Sequence, residues 1–254
     1  MTTTRVARVP YLNSAPFYQG LALGERHELT DCVPRALGER ASAGELLAGL
    51  LPLADYLRLS DTFERVGRFG IAVRGRARSV LLFSRKPLRQ LDGALIAVTE
   101  ETSTTALLLR LLLEQRYRIS PAAYERGQRQ DADALLLIGD EALRFQQRNT
   151  QYPFETDLAF EWWLWQHLPC VFAVWAIRKD AGPEEKKELE LALAKSLGIN
   201  LRQLERLARD ASPGLGVPAE ALHIYLSHFT YRFGQPEEDG IAQFQKLVHE
   251  HHLL

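Results

Sequence analysis

The chain has 254 residues, 46% hydrophobic and 25% charged, and 31 Lys and Arg against 32 Asp and Glu leave a formal net charge of −1. That balance excludes a disordered or collagen-like chain and leaves no basic surplus for nucleic acid or an electrostatic membrane anchor. The length suits one large domain or two small lobes.

Arg5 to Val9 reads as a short apolar strand ending at Pro10, with a loop and then a helix from Pro16 to about Leu23. Ser42 to Leu47 is predicted helical, and Ala48 to Pro52 a short buried strand. Phe69 to Val73 and Ser79 to Ser84 are β-rich. The second is a continuous apolar run between Arg78 and Arg85, as in a strand covered on both faces. Ala94 to Val98 is a strand, Thr102 to Tyr117 a leucine-rich helix, and Ala134 to Ile138 another buried strand. Gly139-Asp140 then open a helix toward Arg148, and Val171 to Ile177 is a further buried strand. Beyond it only helices are expected: Pro183 to Gly198, Asn200 to Ala211, Pro218 to Leu226 and Pro236 to His252. Pro183, Pro218 and Pro236 sit where a first helical turn accepts proline.

This alternation predicts an α/β fold of mainly parallel sheets with helical crossovers. The block 85–175 enters through strand 79–84 and leaves through 171–177, the pattern of a lobe inserted between two chain crossings. These two strands are expected side by side. Lobe 1 would comprise residues 1–80 plus 178–254, and lobe 2 residues 81–177. A ligand would occupy the cleft, at carboxyl ends of strands and amino ends of helices.

Three segments carry polar groups to such a cleft. Asn13 and Ser14 follow the first strand, framed by Pro10 and Pro16; both are turn formers, so a plain turn competes with a ligand role. Thr102, Ser103, Thr104 and Thr105 open a helix, where one hydroxyl suffices as a cap and the others remain for a carboxylate or phosphate. Asp140 either caps the helix it opens or faces a ligand hydroxyl. Trp162, Trp163, Trp165 and Trp175 read as packing rather than a recognition stack. His249 and His252, with His251, lie at a frayed helix end, a poor metal cage; no metal and no cofactor is expected. The phosphate-loop, dinucleotide, zinc-protease and nucleophile-elbow motifs do not occur.

Cys32 and Cys170 read as buried small hydrophobes of a reducing compartment. With no apolar targeting segment at the start and no long apolar run, a cytoplasmic protein without membrane or nucleic-acid partners is expected. Its oligomeric state is not legible.

The opening RVARVPYLNSAPFYQGL (5–21) resembles the chorismate dehydratases of the futalosine route to menaquinone. GELLAGLLPLADYL (44–57), RSVLLFSRKPL (78–88), TSTTALLLRLLL (102–113), DADALLLIGDEAL (131–143) and LPCVFAVWAIR (168–178) are similar in order. So is the tail with YLSHFTY (225–231) and GIAQFQKLVHEHHLL. The resemblance implies a two-lobed, type II periplasmic-binding-protein-like fold with a helical tail. It also implies a lyase that dehydrates chorismate, its small-molecule partner, to 3-[(1-carboxyvinyl)oxy]benzoate. By the same resemblance Asn13 and Ser79 are the catalytic positions. Ser103, Thr104, Thr105, Gly139, Asp140 and Phe172 would bind substrate. Leu47, Cys170 and the basic loop Arg74 to Arg78 depart from the family pattern. Two alternatives share the fold: a non-catalytic solute-binding protein, and the sister enzyme acting on cyclic dehypoxanthine futalosine. The absence of a signal peptide counts against the first. The second should carry a histidine in the cleft, and no cleft motif holds one.

Overall fold

Alternating short apolar strands and amphipathic helices build a first half-fold from the N-terminus. In the computed structural model, which describes residues 4–24, 27–127 and 131–254, strand β1 (Thr4–Arg8) leads through a 3-10 turn (Leu12–Ser14) into α1 (Ala15–Tyr18). Then come β2 (His27–Asp31), α2 (Pro34–Ser42), β3 (Ala48–Pro52), α3 (Leu53–Arg58) and the long β4 (Phe63–Val73). Residues 74–79 cross to a second sheet, where β5 (Val80–Ser84), β6 (Leu95–Val98), α4 (Thr104–Arg110, continued by a π-helical turn Leu111–Arg116) and β7 (Ala123–Arg126) follow. β8 (Ala134–Ile138), α5 (Gly139–Arg148), β9 (Phe154–Asp157) and α6 (Leu158–Gln166) complete that lobe. The chain returns through β10 (Cys170–Arg178) and closes with α7 (Pro183–Asn200), α8 (Leu204–Leu215), α9 (Ala219–Ser227), β11 (Phe229–Arg232) and α10 (Gln235–Glu250).

The first sheet has six strands in the order β11-β4-β10-β3-β1-β2, the second five in the order β7-β6-β8-β5-β9. Both are mixed rather than mainly parallel. β1 runs parallel to β2 and β3, whereas β10 is antiparallel to β3 and β4. β5 is antiparallel to both β8 and β9. The strands that carry the chain between lobes run against the strands built inside them, which breaks the parallel pattern.

The expectation that 79–84 and 171–177 are adjacent strands is therefore corrected. β5 lies in the second sheet and β10 in the first. By sheet membership the return crossing falls between β9 and β10, and Cys170–Arg178 sits with the N-terminal strands. Both runs are apolar because each is a central strand, covered on two faces, and that property does not say which sheet a strand joins.

Several boundaries shift for local reasons. The helix expected to Leu23 stops at Tyr18, two residues before Gly20, which takes φ +69°. The helix expected over 42–47 lies earlier, from Pro34 at its first turn to Ser42, just before Gly44 with φ +74°. β11 interrupts the tail expected to be all helical; its FTYR residues pair along β4.

The tryptophans pack, as expected. Phe17 meets Phe69, Trp175 and Tyr231 edge-on at 5.7–6.2 Å, and Trp162 packs edge-on against Phe244. Asp157 ties the two crossings together. Its carboxylate accepts Ala159 N–H and Phe160 N–H as the cap of α6, and Arg78 N–H at 2.7 Å. A single buried carboxylate thus fixes both connections between the lobes.

Candidate functional site

Between the sheets lies a cavity of about 550 Å³, counted out to its open mouth, and both lobes line it. Leu50, Ile71, Val80, Ile138 and Phe172 form its apolar walls, while Asn13, Thr102, Thr104 and Thr105 bring polar groups. Asn13 arrives on the loop after β1, the threonines on the start of α4, and Gly139 on the start of α5.

Asn13 resolves its own ambiguity. The turn after β1 is closed by its neighbour, since Ser14 Oγ donates to the carbonyls of Val9 and Tyr11 at 2.6 and 2.7 Å. The Asn13 amide lines the cavity and has no hydrogen-bond partner among the described residues. A turn-forming asparagine would spend its side chain on the local backbone.

The hydroxyl cluster divides three ways. Thr102 Oγ1 accepts Thr105 N–H at 3.2 Å and caps α4. Thr104 Oγ1 accepts Ala54 N–H at 3.1 Å, bridging the lobes while lining the cavity. Thr105 lines the cavity with a hydroxyl that no described residue engages. Ser103 turns away. Its Oγ donates to Asp55 Oδ2 at 2.5 Å and faces a separate depression shared with Arg35 and Arg126.

Gly139 and Phe172 stand on the cavity wall; Asp140 and Ser79 do not. Asp140 Oδ1 accepts Leu12 N–H at 2.9 Å, so the carboxylate holds the Asn13 loop from outside. Burial pushes its carboxyl above the ordinary carboxylate range, opposed by that hydrogen bond. Ser79 is fully buried at the end of the first crossing. Its carbonyl accepts Gly139 N–H at 2.8 Å, one residue behind Val80 on the wall.

Neither Tyr11 nor its partner Glu101 receives a site role from sequence; Glu101 reads only as a charge opposing anion binding unless it points outward. The Tyr11 ring lies so close over Gly139 that a Cβ there would meet it at 2.8 Å, and Gly139 takes φ +58°. Its hydroxyl donates to Glu101 across the cleft. Burial first, then that hydrogen bond, hold the Tyr11 hydroxyl far above the ordinary phenol range. The clue was available in the aromatic directly before Leu12-Asn13, but its partner lies 90 residues on.

The electrostatics are unusual for an anion site. Among the described residues, Tyr11 is the one titratable side chain lining the cavity, and no Lys, Arg, His, Asp or Glu joins it. The basic loop contributes nothing here. Arg74 lies over the Trp163 ring at 4.6 Å and Arg76 over the Phe160 ring at 4.2 Å, and neither lines the cavity. The cavity can therefore orient a polar ligand through neutral donors, without a protein base or a fixed cation. Among the described residues no group of three metal-ligating side chains converges, and no helix is long and apolar enough to cross a membrane.

Comparison with known proteins agrees with this architecture. A family model described as menaquinone biosynthesis matches residues 4–250. A chorismate dehydratase from Thermus thermophilus is 32% identical over 260 residues, covering 94% of this chain and 92% of that protein. A protein of Archaeoglobus fulgidus, solved by crystallography, superposes with a TM-score of 0.79 at 18% identity, covering 99% of this chain and 98% of that one. The periplasmic aliphatic sulphonate binding protein SsuA of Escherichia coli gives a TM-score of 0.66 at 13% identity, covering 100% and 94%. The fold is thus the two-lobed, type II periplasmic-binding-protein-like one with a helical C-terminal region. The expectation of a cytoplasmic location is corrected: SsuA is periplasmic, and the ligand-binding component of a Staphylococcus aureus ABC-type import system shares the fold (TM-score 0.66, 12% identity), so this fold serves extracytoplasmic solute binding and carries no cytoplasmic address. Charge balance and cysteine number describe a chain's solubility and redox tolerance and carry no address.

Proposed function

The chain belongs to the menaquinone-biosynthesis family, and from that membership we infer that it is a lyase dehydrating chorismate to 3-[(1-carboxyvinyl)oxy]benzoate. The reaction removes the ring C3 proton and the C4 hydroxyl, and aromatisation drives it forward. What remains for the enzyme is orientation and proton transfer.

One observation carries the mechanistic reading: the cavity wall offers no base. Tyr11, its single titratable group, is held protonated by burial and by Glu101. In this reading the substrate's enolpyruvyl carboxylate takes the C3 proton. The C–H electron pair becomes the new ring bond, the C4–O bond breaks, and the departing hydroxyl leaves as water with that proton. The carboxylate is restored. A wall without Lys or Arg favours this, because a paired cation would lower the carboxylate's basicity.

Within the same reading Asn13 donates its unpaired amide to a substrate carboxylate, and Thr105 and Thr104 contribute hydroxyl donors beside it. Ser79, buried one residue behind Val80, takes its catalytic assignment from the resemblance alone. Asp140 and Ser103 hold the two cleft loops in place. Phe172 packs on the ring. The lobe division follows the sheets, with residues 74–79 as the first crossing.

Purified protein incubated with chorismate should consume it and yield the benzoate ether with one equivalent of water lost, read by chromatography with mass detection. Saturable binding without turnover would turn the reading toward a solute-binding protein. Turnover of cyclic dehypoxanthine futalosine in place of chorismate would turn it toward the sister enzyme.

A further inference from the structure

Glu101 sits on the loop between β6 and α4, in the second lobe, and two of its polar groups reach the first. Its carboxylate accepts the Tyr11 hydroxyl, and its carbonyl accepts Arg35 N–H at 3.0 Å. Arg35 stands in the first turn of α2, where backbone N–H groups have no acceptor within their own helix. The Glu101 carbonyl therefore caps that helix from the opposite lobe. Tyr11 and Pro34, which precedes Arg35, both line the cavity.

These contacts lie close to the donors of the cleft. Asn13 follows Tyr11 on the loop after β1, and Thr105 follows Glu101 at the start of α4. The Asn13 amide and the Thr105 hydroxyl come from opposite lobes, and neither has a hydrogen-bond partner among the described residues. The distance between them is thus set by whatever joins the segments that carry them. Leu12 N–H ties the Asn13 loop to Asp140 on α5, and Ala54 N–H ties α3 to Thr104. Among the described residues, the Tyr11–Glu101 bond is the one hydrogen bond that joins the Asn13 loop to the segment leading into α4. Burial and the carboxylate keep the Tyr11 hydroxyl protonated, so it remains a donor.

We propose that Glu101 is a positioning residue for the dehydration: through Tyr11 it fixes the spacing across the cleft between the Asn13 amide and the Thr105 hydroxyl. The proposal rests on both donors binding one chorismate, as inferred above. Donors from two lobes can hold one rigid ring at one separation only, and a misplacement of about 1 Å can cost about a hundredfold in rate.

The test compares Tyr11→Phe, Glu101→Ala, Glu101→Gln and the double variant Tyr11→Phe/Glu101→Ala. For each, kcat/KM for chorismate and Tm are measured, with hydrogen–deuterium exchange of the Leu12 and Arg35 amides, whose acceptors lie in the opposite lobe. Phenylalanine keeps the ring over Gly139 and removes the hydroxyl. Tyr11→Phe and Glu101→Ala should each lower kcat/KM by about tenfold or more, and the double variant no further, because one bond is lost in all three. Both amides should exchange several-fold faster. A glutamine carbonyl still accepts the phenol, at about half the strength of a charged acceptor, so Glu101→Gln should lose only about threefold. Tyr11→Phe or Glu101→Ala with kcat/KM within twofold of the parent would overturn the positioning role and leave the chorismate reading standing. Lost activity with unchanged exchange would overturn it too, because the tyrosine hydroxyl would then act on substrate directly. A loss that merely tracks a collapsed Tm would assign the bond to folding alone. A parent inactive on chorismate would remove that reading and the proposal together.

Discussion

Replacing Asn13 by Asp exchanges one amide NH₂ for an oxygen and changes little else in shape. The side chain has no hydrogen bond to lose within the described protein, because Ser14 closes the turn. Folding stability should therefore move by less than about 0.5 kcal/mol. Binding is another matter, because a donor facing a substrate carboxylate becomes a like charge. At about 4 Å and an effective dielectric near 20, that repulsion is about 4 kcal/mol, and no cation on the wall offsets it. At about 1.4 kcal/mol per tenfold, kcat/KM should fall roughly a thousandfold. The assay is steady-state product formation from chorismate, with thermal unfolding followed beside it. Protonating the new carboxyl restores a donor and removes the charge, so activity relative to the parent should recover as pH falls. A variant that keeps kcat/KM within tenfold, or loses it through a collapsed Tm, would refute this account of Asn13.

Thr105→Val should raise KM by about tenfold, the loss of a hydrogen bond to a charged group. Thr104→Val should lower Tm as well, because Ala54 N–H loses its acceptor across the lobes; an equal loss of Tm in Thr105→Val would contradict the division of labour seen in the cluster. Gly139→Ala places a methyl against the Tyr11 ring in a left-handed backbone, which costs an L-residue about 1–2 kcal/mol before the ring moves. Lower Tm and weaker substrate binding are both expected, and a neutral result in calorimetry would remove Tyr11 from the roof of the site. For Asp140, burial raises the folded-state pKa, so the native protein binds the proton more tightly than the unfolded chain and loses stability as pH rises through that range. Asp140→Asn does not titrate. Its stability relative to the parent in urea unfolding should increase with pH, and the opposite slope would show the carboxylate to be stabilised as an anion.

The apolar runs VLLFS and ALLLI were legible as central strands, and they pair with each other, because continuous burial on two faces leaves its mark in every residue. Edge elements were not. HELTD and AYER, β2 and β7, are edge strands that mix charged with apolar residues and show no continuous buried run, so the sequence left them unassigned. At the site, Asn13, Thr104, Thr105, Gly139 and Phe172 reached the cavity, whereas Ser103, between Thr102 and Thr104, did not. Adjacent residues at a helix start point about 100° apart, and which direction is the cleft depends on where the other lobe lies.

Composition, buried-strand runs and the order of motifs along the chain are local properties, and the sequence by itself determined the α/β class, the two-lobed family and the segments that meet at the cleft. Tertiary structure alone decided the partners. Asp140 spends its carboxylate on Leu12, 128 residues away; Ser79 meets Tyr225; and Cys170–Arg178 joins the first sheet rather than the second. Each of these choices is a hydrogen bond between groups far apart in the chain. Its energy depends on distance and angle, which no pattern of residue types along one dimension contains.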